Sequence, residues 1–505
     1  MNIWTVKYLL MIVLFFIMGI SCSGDEAQKA EHKEKARQYV EKNELRKAVI
    51  ELKNAVQIDP EDDVALYELG EVYMRLKRED NAIYFFDQAI SKNPDNMKAQ
   101  LRMGQIVLAA KQTKKARKIA KLVLKKSPED LEALNLLAGV QIQEKNLNAA
   151  VRTLKKAASI DPAHFKTHLF LAHLYLSKGN TDHAEKTYLK VIAIDSSARL
   201  PYIELARLYG TRGQWEKAES LLKRMVKTPG QKQEKLHDLA RFYESRKRWD
   251  QAEKTYLEAV DSAPDRDVAP LMNLGFFYAR RISYDKALGA MQKALNIQKD
   301  DLTILANMAQ LHFDFNKIQD AEALIEQVLS KNKDHVLANF VKGRLDLFKK
   351  DFTNGLKRFQ FVVGKSPRNA MAYYYGALCV LGKGGRDLPG QDLLRAAAGY
   401  ADDDTDAWER KQATTVLLRV VELNPRMLDA RLILAELYLR EKAQKKAREQ
   451  INIALKLAPD HLKALTLQGS LKVLEGDLEG AEAICKKVIE LNPNLPSWRV
   501  RLGLV

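Results

Sequence analysis

The stretch "DDVALYELGEVYMRLKREDNAIYFFDQAISKNP", residues 62–94, is one copy of a pattern that runs through most of this chain. Its small residues Gly70 and Ala82 stand 12 positions apart, and Pro94 closes the copy. Alanines equivalent to Ala82 recur every 34 positions, at Ala48, Ala82, Ala116, Ala150, Ala184, Ala218 and Ala252. A fixed period of this length predicts a repeat protein, in which each copy stacks on its neighbours to complete a core.

Each copy is expected to form two antiparallel helices, about 62–76 and 79–92 in the quoted stretch. Small residues let the two helix backbones approach closely, and aromatic residues such as Tyr73 fill the space between neighbouring pairs. The proline ends the second helix because it cannot continue the hydrogen-bond ladder. Gly (24) and Pro (14) are few among 505 residues, and no run alternates apolar and polar residues, so an all-α fold is predicted.

This period, with its small and aromatic positions, resembles the tetratricopeptide repeat. The resemblance covers roughly residues 29–493. It implies an all-α solenoid, a right-handed superhelix of helix–turn–helix repeats, that binds protein partners along a concave surface lined by the first helices.

The period divides the chain. Repeats are predicted over residues 29–381 and 409–493, separated by an inserted loop over 382–408 with a short helix at Gln391–Gly399. Residues 494–505 begin a further, incomplete repeat that ends without a polar cap. We therefore expect either a longer repeat protein or a partner that covers this end.

The beginning of the chain is apolar and stops at a cysteine. The run Tyr8–Ile20 is too short to span a bilayer but fits the core of a secretory signal. Residues 19–22, "GISC", resemble a bacterial lipoprotein cleavage box. That resemblance implies a signal peptide over 1–21 and a lipid on Cys22 that binds the membrane, followed by a short linker to residue 28.

Ser23 after the cysteine favours an outer-membrane lipoprotein that faces the periplasm of a bacterial envelope. An ordinary signal peptide or an uncleaved anchor is the alternative.

The sequence contains no GxSxG, no glycine-rich phosphate loop and no HExxH motif. His164 and His168 could share a helix face but lack a third ligand nearby, and Cys379 and Cys485 are expected to be buried thiols. We therefore predict a protein that is not an enzyme and binds no cofactor or metal.

The net charge is +17, and its densest cluster is "KQTKKARKIAKLVLKK", residues 111–126, which contains no acid. We expect it on the second helix of the third repeat, with Ile119, Val123 and Leu124 toward the core. Two interpretations are open, a solvated outer face or a contact with an anionic lipid headgroup or polysaccharide. Nucleic acid is not expected, because no recognition motif is present. The predicted basic patch comprises Lys114, Lys115, Arg117, Lys118, Lys121, Lys125 and Lys126.

A binding groove is predicted from helical geometry. In each first helix, residues three before, one after and four after the small residue share one stripe, which in the tetratricopeptide family lines the groove. Aromatic residues and arginine dominate this stripe here, as in binding hot spots, although ordinary side-chain scatter could give the same composition. The predicted groove comprises Arg207, His237, Arg241, Phe276, Phe313, Phe340, Arg344 and Tyr374, with Arg280 beside it.

Two stretches narrow the expected function. "KAVIELKNAVQIDP" (47–60) and "LNPRMLDARLILAELYLRE" (423–441) resemble repeat lipoproteins of exopolysaccharide and PEP-CTERM sorting systems. This implies a non-enzymatic, envelope-anchored scaffold for exopolysaccharide export or PEP-CTERM-type protein sorting. The alternatives are a lipoprotein of pilus or outer-membrane protein assembly, and the repeat region of a longer enzyme such as a glycosyltransferase.

Overall fold

The computed structural model of the protein describes residues 25–383 and 407–492, and within these ranges it contains 26 helices and no strand. The helices, numbered in chain order, are 25–41 (α1), Leu45–Ile58 (α2), Asp63–Arg75 (α3), Glu79–Lys92 (α4), Met97–Ala109 (α5), Thr113–Lys126 (α6), Leu131–Gln143 (α7), Leu147–Ile160 (α8), Phe165–Ser177 (α9), Thr181–Ile194 (α10), Arg199–Thr211 (α11), Trp215–Val226 (α12), Lys232–Ser245 (α13), Trp249–Asp261 (α14), Ala269–Arg280 (α15), Tyr284–Ile297 (α16), Leu302–Asp314 (α17), Ile318–Lys331 (α18), Val336–Phe348 (α19), Phe352–Lys365 (α20), Ala370–Lys383 (α21), Ala407–Leu423 (α22), Leu428–Arg440 (α23), Gln444–Leu457 (α24), Leu462–Leu474 (α25) and Leu478–Leu491 (α26).

Odd-numbered helices are the first helices of repeats, and even-numbered helices are the second ones. The chain divides into two units, one ending at Lys247 with α13 and the other beginning at Arg248 before α14. Within each unit, the first helix of a repeat packs on its second helix, as α3 does on α4 and α19 on α20. The all-α prediction and the two helices predicted for residues 62–92 are confirmed.

Two predicted boundaries need correction. Residues 25–28, expected in a linker, belong to α1, because Glu, Ala and Gln at 26–28 favour helix. The same helix is held in place by Lys29 and Lys33, which donate to Asp59 and Asp62 at 2.9 and 2.8 Å. Helices α21 and α22 also take two residues at each end of the loop predicted over 382–408. The signal segment, Cys22, the short helix Gln391–Gly399 and residues 494–505 lie outside the described residues.

The periodic small residues form the packed centre of the repeats. All seven alanines from Ala48 to Ala252 are fully buried. A Cβ atom added to Gly70 would lie 2.6 Å from Cε1 of Phe86, whose ring is itself fully buried. The size restriction at these positions is therefore steric, as the spacing predicts.

In each repeat whose inter-helix turn lies in the described residues, one residue of that turn has a left-handed backbone conformation. Lys77, Lys111 and Lys145 have φ values of 58, 60 and 60°, and Gly179 and Gly213 take the equivalent position in the next two copies. Glycine adopts this conformation without a steric penalty, whereas lysine tolerates it at a small cost. The tight turn keeps the two helices antiparallel.

Side chains also close the loops between repeats. His168 Nε2 lies 3.0 Å from the carbonyl oxygen of Pro162, and the Nε of Arg431 donates to that of Pro425 at 2.8 Å. Buried Lys235 donates to the carbonyl oxygen of Pro229 at 2.5 Å. In all three cases the proline stands six positions before the side chain that contacts it. His168 therefore has a structural partner, and its burial lowers the pKa of its imidazole.

The tyrosines predicted as packing residues carry a second role. Tyr209 and Tyr243 donate through their hydroxyls to Glu185 and Glu219 of the preceding second helix, at 3.0 and 2.9 Å. Burial and these carboxylates raise the pKa of both phenols. Each bond fixes one repeat against the next.

Candidate functional site

Of the three cysteines, Cys22 lies outside the described residues, so its lipidation stays a prediction. Cys379 and Cys485 are buried thiols, as expected. Among the described helices, none is long and apolar enough to cross a membrane.

The predicted groove residues all lie on first helices. Arg207, His237 and Arg241 lie on α11 and α13, in the unit that ends at Lys247. The other six belong to the second unit, on α15, α17, α19 and α21: Phe276, Arg280, Phe313, Phe340, Arg344 and Tyr374.

Arg344, on α19, is the centre of the best-defined cluster. Its Nη2 donates to Oδ1 of Asp314 at 2.7 Å, and the ion pair joins α19 to the end of α17. The guanidinium carbon lies 4.4 Å from the ring centroid of Phe313 and 5.4 Å from that of Tyr375, so the cation faces two aromatic rings. Only 14% of the side chain is exposed. Arg344 is therefore built into the surface rather than extended into solvent.

The rings continue on both sides of Arg344. Phe340 lies 5.7 Å from Tyr375 and 5.9 Å from buried Phe359, in edge-on geometry. Tyr375 stacks on Phe359 at 5.6 Å and meets Tyr374 edge-on at 5.4 Å. The cluster is thus anchored in the core through Phe359, while Phe340 and Tyr374 are only partly exposed.

An exposed ring completes this surface. Phe348, at the end of α19, is 58% exposed and contacts Phe313 edge-on at 6.2 Å. A large apolar side chain with this exposure, resting on a fixed aromatic neighbour, is the kind of anchor that a partner protein covers. We call Phe313, Phe340, Arg344, Phe348 and Tyr375 the aromatic surface.

Sequence reasoning missed three members of this arrangement. Phe348 stands four residues after Arg344, a spacing that places both on one helix face, and it could have been found that way. Asp314 stands 30 positions before Arg344. Two other ion pairs between adjacent repeats, Lys126 with Asp95 and Lys331 with Asp300, join residues at nearly the same separation, so this spacing was a usable signal. Tyr375 carries no such signal, because its neighbour Tyr374 fits the stripe instead.

The groove residues of the first unit are more polar. Arg207 is exposed, and its Nη1 donates to Glu204 Oε2 on the same helix at 3.1 Å. Arg241 is exposed and His237 is half-buried. Beside them, Asp238 is only 18% exposed, and burial raises the pKa of its carboxyl to about 6. Arg199 Nε approaches Asp238 Oδ2 to 2.9 Å but is not aligned for a hydrogen bond, so it offsets only part of the burial cost.

The predicted basic patch lies on α6, where Val123 is buried and Ile119 and Leu124 pack against the same core, as expected. Two of its cations are paired, Arg117 with Glu144 and Lys126 with Asp95. The other five form no ion pair with any residue in the described ranges, and all are exposed: Lys114, Lys115, Lys118, Lys121 and Lys125.

Comparison with protein-family models also indicates helical repeats. Residues 26–164 match the model of the cytochrome c-type biogenesis protein H TPR domain. Four other tetratricopeptide repeat models match residues 141–200 and 283–340, 236–268, 409–461 and 462–495. The chain is built of tetratricopeptide repeats. The predicted tetratricopeptide solenoid is therefore confirmed.

Several solved structures are similar to this repeat protein. Yeast Tom70 is 16% identical, with a TM-score of 0.43, over 85% of this chain and 99% of the other. A tetratricopeptide repeat protein from Parabacteroides merdae is 19% identical, with a TM-score of 0.33, over 57% and 99%. MamA from Desulfovibrio magneticus is 23% identical, with a TM-score of 0.29, over 34% and 96%. The comparison with curated proteins found no match.

Proposed function

We propose that this protein is a non-enzymatic scaffold, anchored in a bacterial envelope by a lipid on Cys22, that holds a partner protein on its aromatic surface. The system it serves is exopolysaccharide export or PEP-CTERM-type protein sorting. The observation that carries the scaffold role is exposed Phe348 resting on Phe313 in a stack of tetratricopeptide repeats.

The chemistry of this surface selects a particular kind of partner segment. Arg344 already has a carboxylate partner in Asp314, so an acidic segment would have to displace that ion pair. An apolar side chain on Phe348 and Phe313 needs no such exchange and removes exposed ring area from water. The partner is therefore a peptide segment with apolar or aromatic anchors, and Arg344 acts by holding the rings in place.

The anchoring part of the proposal rests on the sequence of residues 8–22. An apolar run, a small residue and a cysteine in this order suit lipid attachment, and several acyl chains give stable anchoring. The first described helix begins a few residues later, so the repeats would follow the anchor closely.

Site-specific photocrosslinking in the native envelope tests the proposal. A photoreactive phenylalanine analogue replaces Phe348 in the full chain, and the crosslinked protein is identified by mass spectrometry. The matched control places the same analogue at Tyr84 on α4, which is 57% exposed. We expect a product at position 348 that is absent at position 84, and that contains a component of the export or sorting machinery.

A Cys22→Ala variant of the same chain separates anchoring from binding. It should lose fatty-acid labelling and leave the membrane fraction, while the purified variant still crosslinks at position 348. Continued labelling would place the lipid elsewhere, and identical products at positions 348 and 84 would contradict the partner site.

A second candidate function comes from the family comparison. The match of residues 26–164 to the cytochrome c-type biogenesis protein H TPR domain favours an assembly role in cytochrome c maturation. Recovery of a cytochrome or a maturation protein from the crosslink at position 348 would select this candidate over the export scaffold.

A further inference from the structure

A group of exposed cations extends well beyond α6. Corresponding outer positions of α8 and α10, the next two second helices, are basic as well. All members of the group are exposed: Lys118, Lys121 and Lys125 on α6, Arg152, Lys155 and Lys156 on α8, and Lys186 and Lys190 on α10. We call these eight residues the basic face.

The repeat places these cations in register. Lys118, Arg152 and Lys186 are each one repeat period apart and therefore occupy the same position on three successive second helices. Lys121 and Lys155 form a second such row. On α6 alone, Lys118 to Lys125 covers about 10 Å along the axis at the rise of an α-helix. The basic face therefore extends both along each helix and across the three helices α6, α8 and α10.

No acid neutralises this surface. Helices α6 and α8 contain no Asp or Glu, and the two acids of α10 are engaged elsewhere. Asp182 and Glu185 both bind Arg212, at 2.7 Å each. Among the described residues, none of the eight cations forms an ion pair, and Lys156 donates only to the Pro128 carbonyl, at 3.3 Å. Their charge is available to a partner.

The basic face has defined edges. On α4, one repeat earlier, Asp87 stands at the position of Lys121 and reverses the charge. On α12, one repeat later, Lys223 is paired with Glu219 at 2.7 Å. Exposed unpaired lysines also occur on other second helices, but the cations on α6, α8 and α10 form the dense group that these edges bound.

The side chains among the cations favour one class of partner. Leu122 and Leu189 are 40% and 39% exposed within the basic face. Tyr188 is the one Phe, Tyr or Trp on α6, α8 and α10, and its ring is fully buried, so no aromatic face is available for a sugar ring to stack on. Cations mixed with exposed leucines suit the headgroup layer of a bilayer, where phosphates bind the cations and apolar side chains reach the acyl boundary.

We propose that the basic face of α6, α8 and α10 docks on anionic phospholipid headgroups. The docking would hold the first unit against the membrane surface through many weak contacts, each screened by salt. It does not depend on a lipid at Cys22 or on the aromatic surface, so its failure would leave the proposed function intact.

Cosedimentation with vesicles tests this proposal on the full chain. Vesicles of phosphatidylcholine alone are compared with vesicles that also contain phosphatidylglycerol, so that insertion of the apolar N-terminal segment contributes to both. The test variant carries Lys118→Glu, Lys121→Glu, Arg152→Glu and Lys155→Glu. Its preference for phosphatidylglycerol vesicles should fall by about a hundredfold, because each cation contributes severalfold to binding near an anionic surface.

The matched control makes the same charge change elsewhere. Lys254, Lys293, Lys357 and Lys445 are exposed lysines on second helices of the other unit and form no ion pair with described residues. Their replacement by Glu should change the preference by less than about threefold, and added salt should abolish the preference of the native chain. A second test variant with Gln at the four basic-face positions guards against misfolding, and it should show a smaller loss of the same sign.

Three outcomes would overturn the proposal. Equal loss in the test and control variants would show an effect of net charge alone. Equal binding of the native chain to both vesicle types would show that headgroup charge is not recognised. Binding to a soluble uronate polysaccharide without preference for anionic vesicles would assign the basic face to the other class of polyanion.

Discussion

Cations on the aromatic surface and cations on the basic face occupy the same kind of repeat but have opposite environments. Arg344 is 14% exposed, paired with Asp314 and covered by the rings of Phe313 and Tyr375. Lys121 is exposed, and no residue in the described ranges pairs with it. The first kind of cation stabilises a surface, and the second kind is available to bind.

The neighbouring repeat makes the difference. An ion pair between adjacent repeats typically joins residues about 30 positions apart, as in Lys126 with Asp95 and Lys331 with Asp300. At the same step from Lys121 stands Ile90, which cannot accept a hydrogen bond through its side chain. The partner can also come from the following copy, as Glu144 does for Arg117, so the pairing of a periodic cation depends on residues of the adjacent copies.

Removal of the core anchor should have the largest effect on this comparison. Phe359→Ala removes a ring that is 1% exposed and supports both Phe340 and Tyr375. We expect a loss of about 3–5 kcal/mol in the free energy of unfolding, measured by urea denaturation. The control Leu122→Ala, on the basic face, should cost less than about 1 kcal/mol, because the leucine is already 40% exposed. Equal losses would contradict the distinction between a packed and a solvated surface.

Asp238 is an intermediate case between Arg344 and Lys121. It is largely buried, but the nearby Arg199 Nε is not aligned to donate a hydrogen bond to it. Burial raises the pKa of its carboxyl from 3.8 to about 6, so the folded state binds the proton more tightly than the unfolded state. The stabilisation from this proton is complete below about pH 4 and is lost as the pH rises through about 6. We expect Asp238→Asn to be more stable than the native chain by up to about 3 kcal/mol at pH 7.

Thermal or urea unfolding of Asp238→Asn and of the native chain, measured from pH 4 to 7, gives the difference between their free energies of unfolding. Because all other acids are common to both proteins, the change of this difference with pH reports on Asp238. The difference should grow as the pH rises. A constant difference over this range would show that Asp238 titrates normally in the folded protein.

The smallest expected effect concerns the two cations themselves. Arg344→Met keeps most of the length of the side chain but removes the ion pair and two cation–ring contacts, and it should cost about 1–2 kcal/mol. Lys121→Met should stay within about 0.5 kcal/mol of the native chain, because no described residue pairs with its charge. Paired unfolding curves measure both values. A neutral Arg344→Met would mean that the aromatic surface does not need its cation.

Much of the fold could be predicted from the sequence. Helix 79–92, the buried alanines and the packing role of Tyr73 all follow from the repeat period, because every copy has to meet the same neighbours. Residues 25–28 were mispredicted because the repeat pattern starts later than the helix.

The candidate site was predicted less completely. The stripe rule found Phe313, Phe340 and Arg344 because it follows helical geometry. It missed Phe348, the last residue of α19, which is 58% exposed, and it did not indicate that Arg344 is paired with Asp314. The basic patch on α6 was found from composition, while its extension to Arg152 and Lys186 required the outer positions of α8 and α10 to be compared.

The sequence by itself determined where each residue lies within a repeat, because the period fixes helix, turn and face for every copy. Tertiary structure alone decided what each side chain meets, since that depends on residues of a packed neighbour that lie one repeat away in the chain. Ion pairing and burial arise from those encounters. They separate Arg344, held between Asp314 and two rings, from Lys121, which is exposed and pairs with no residue in the described ranges.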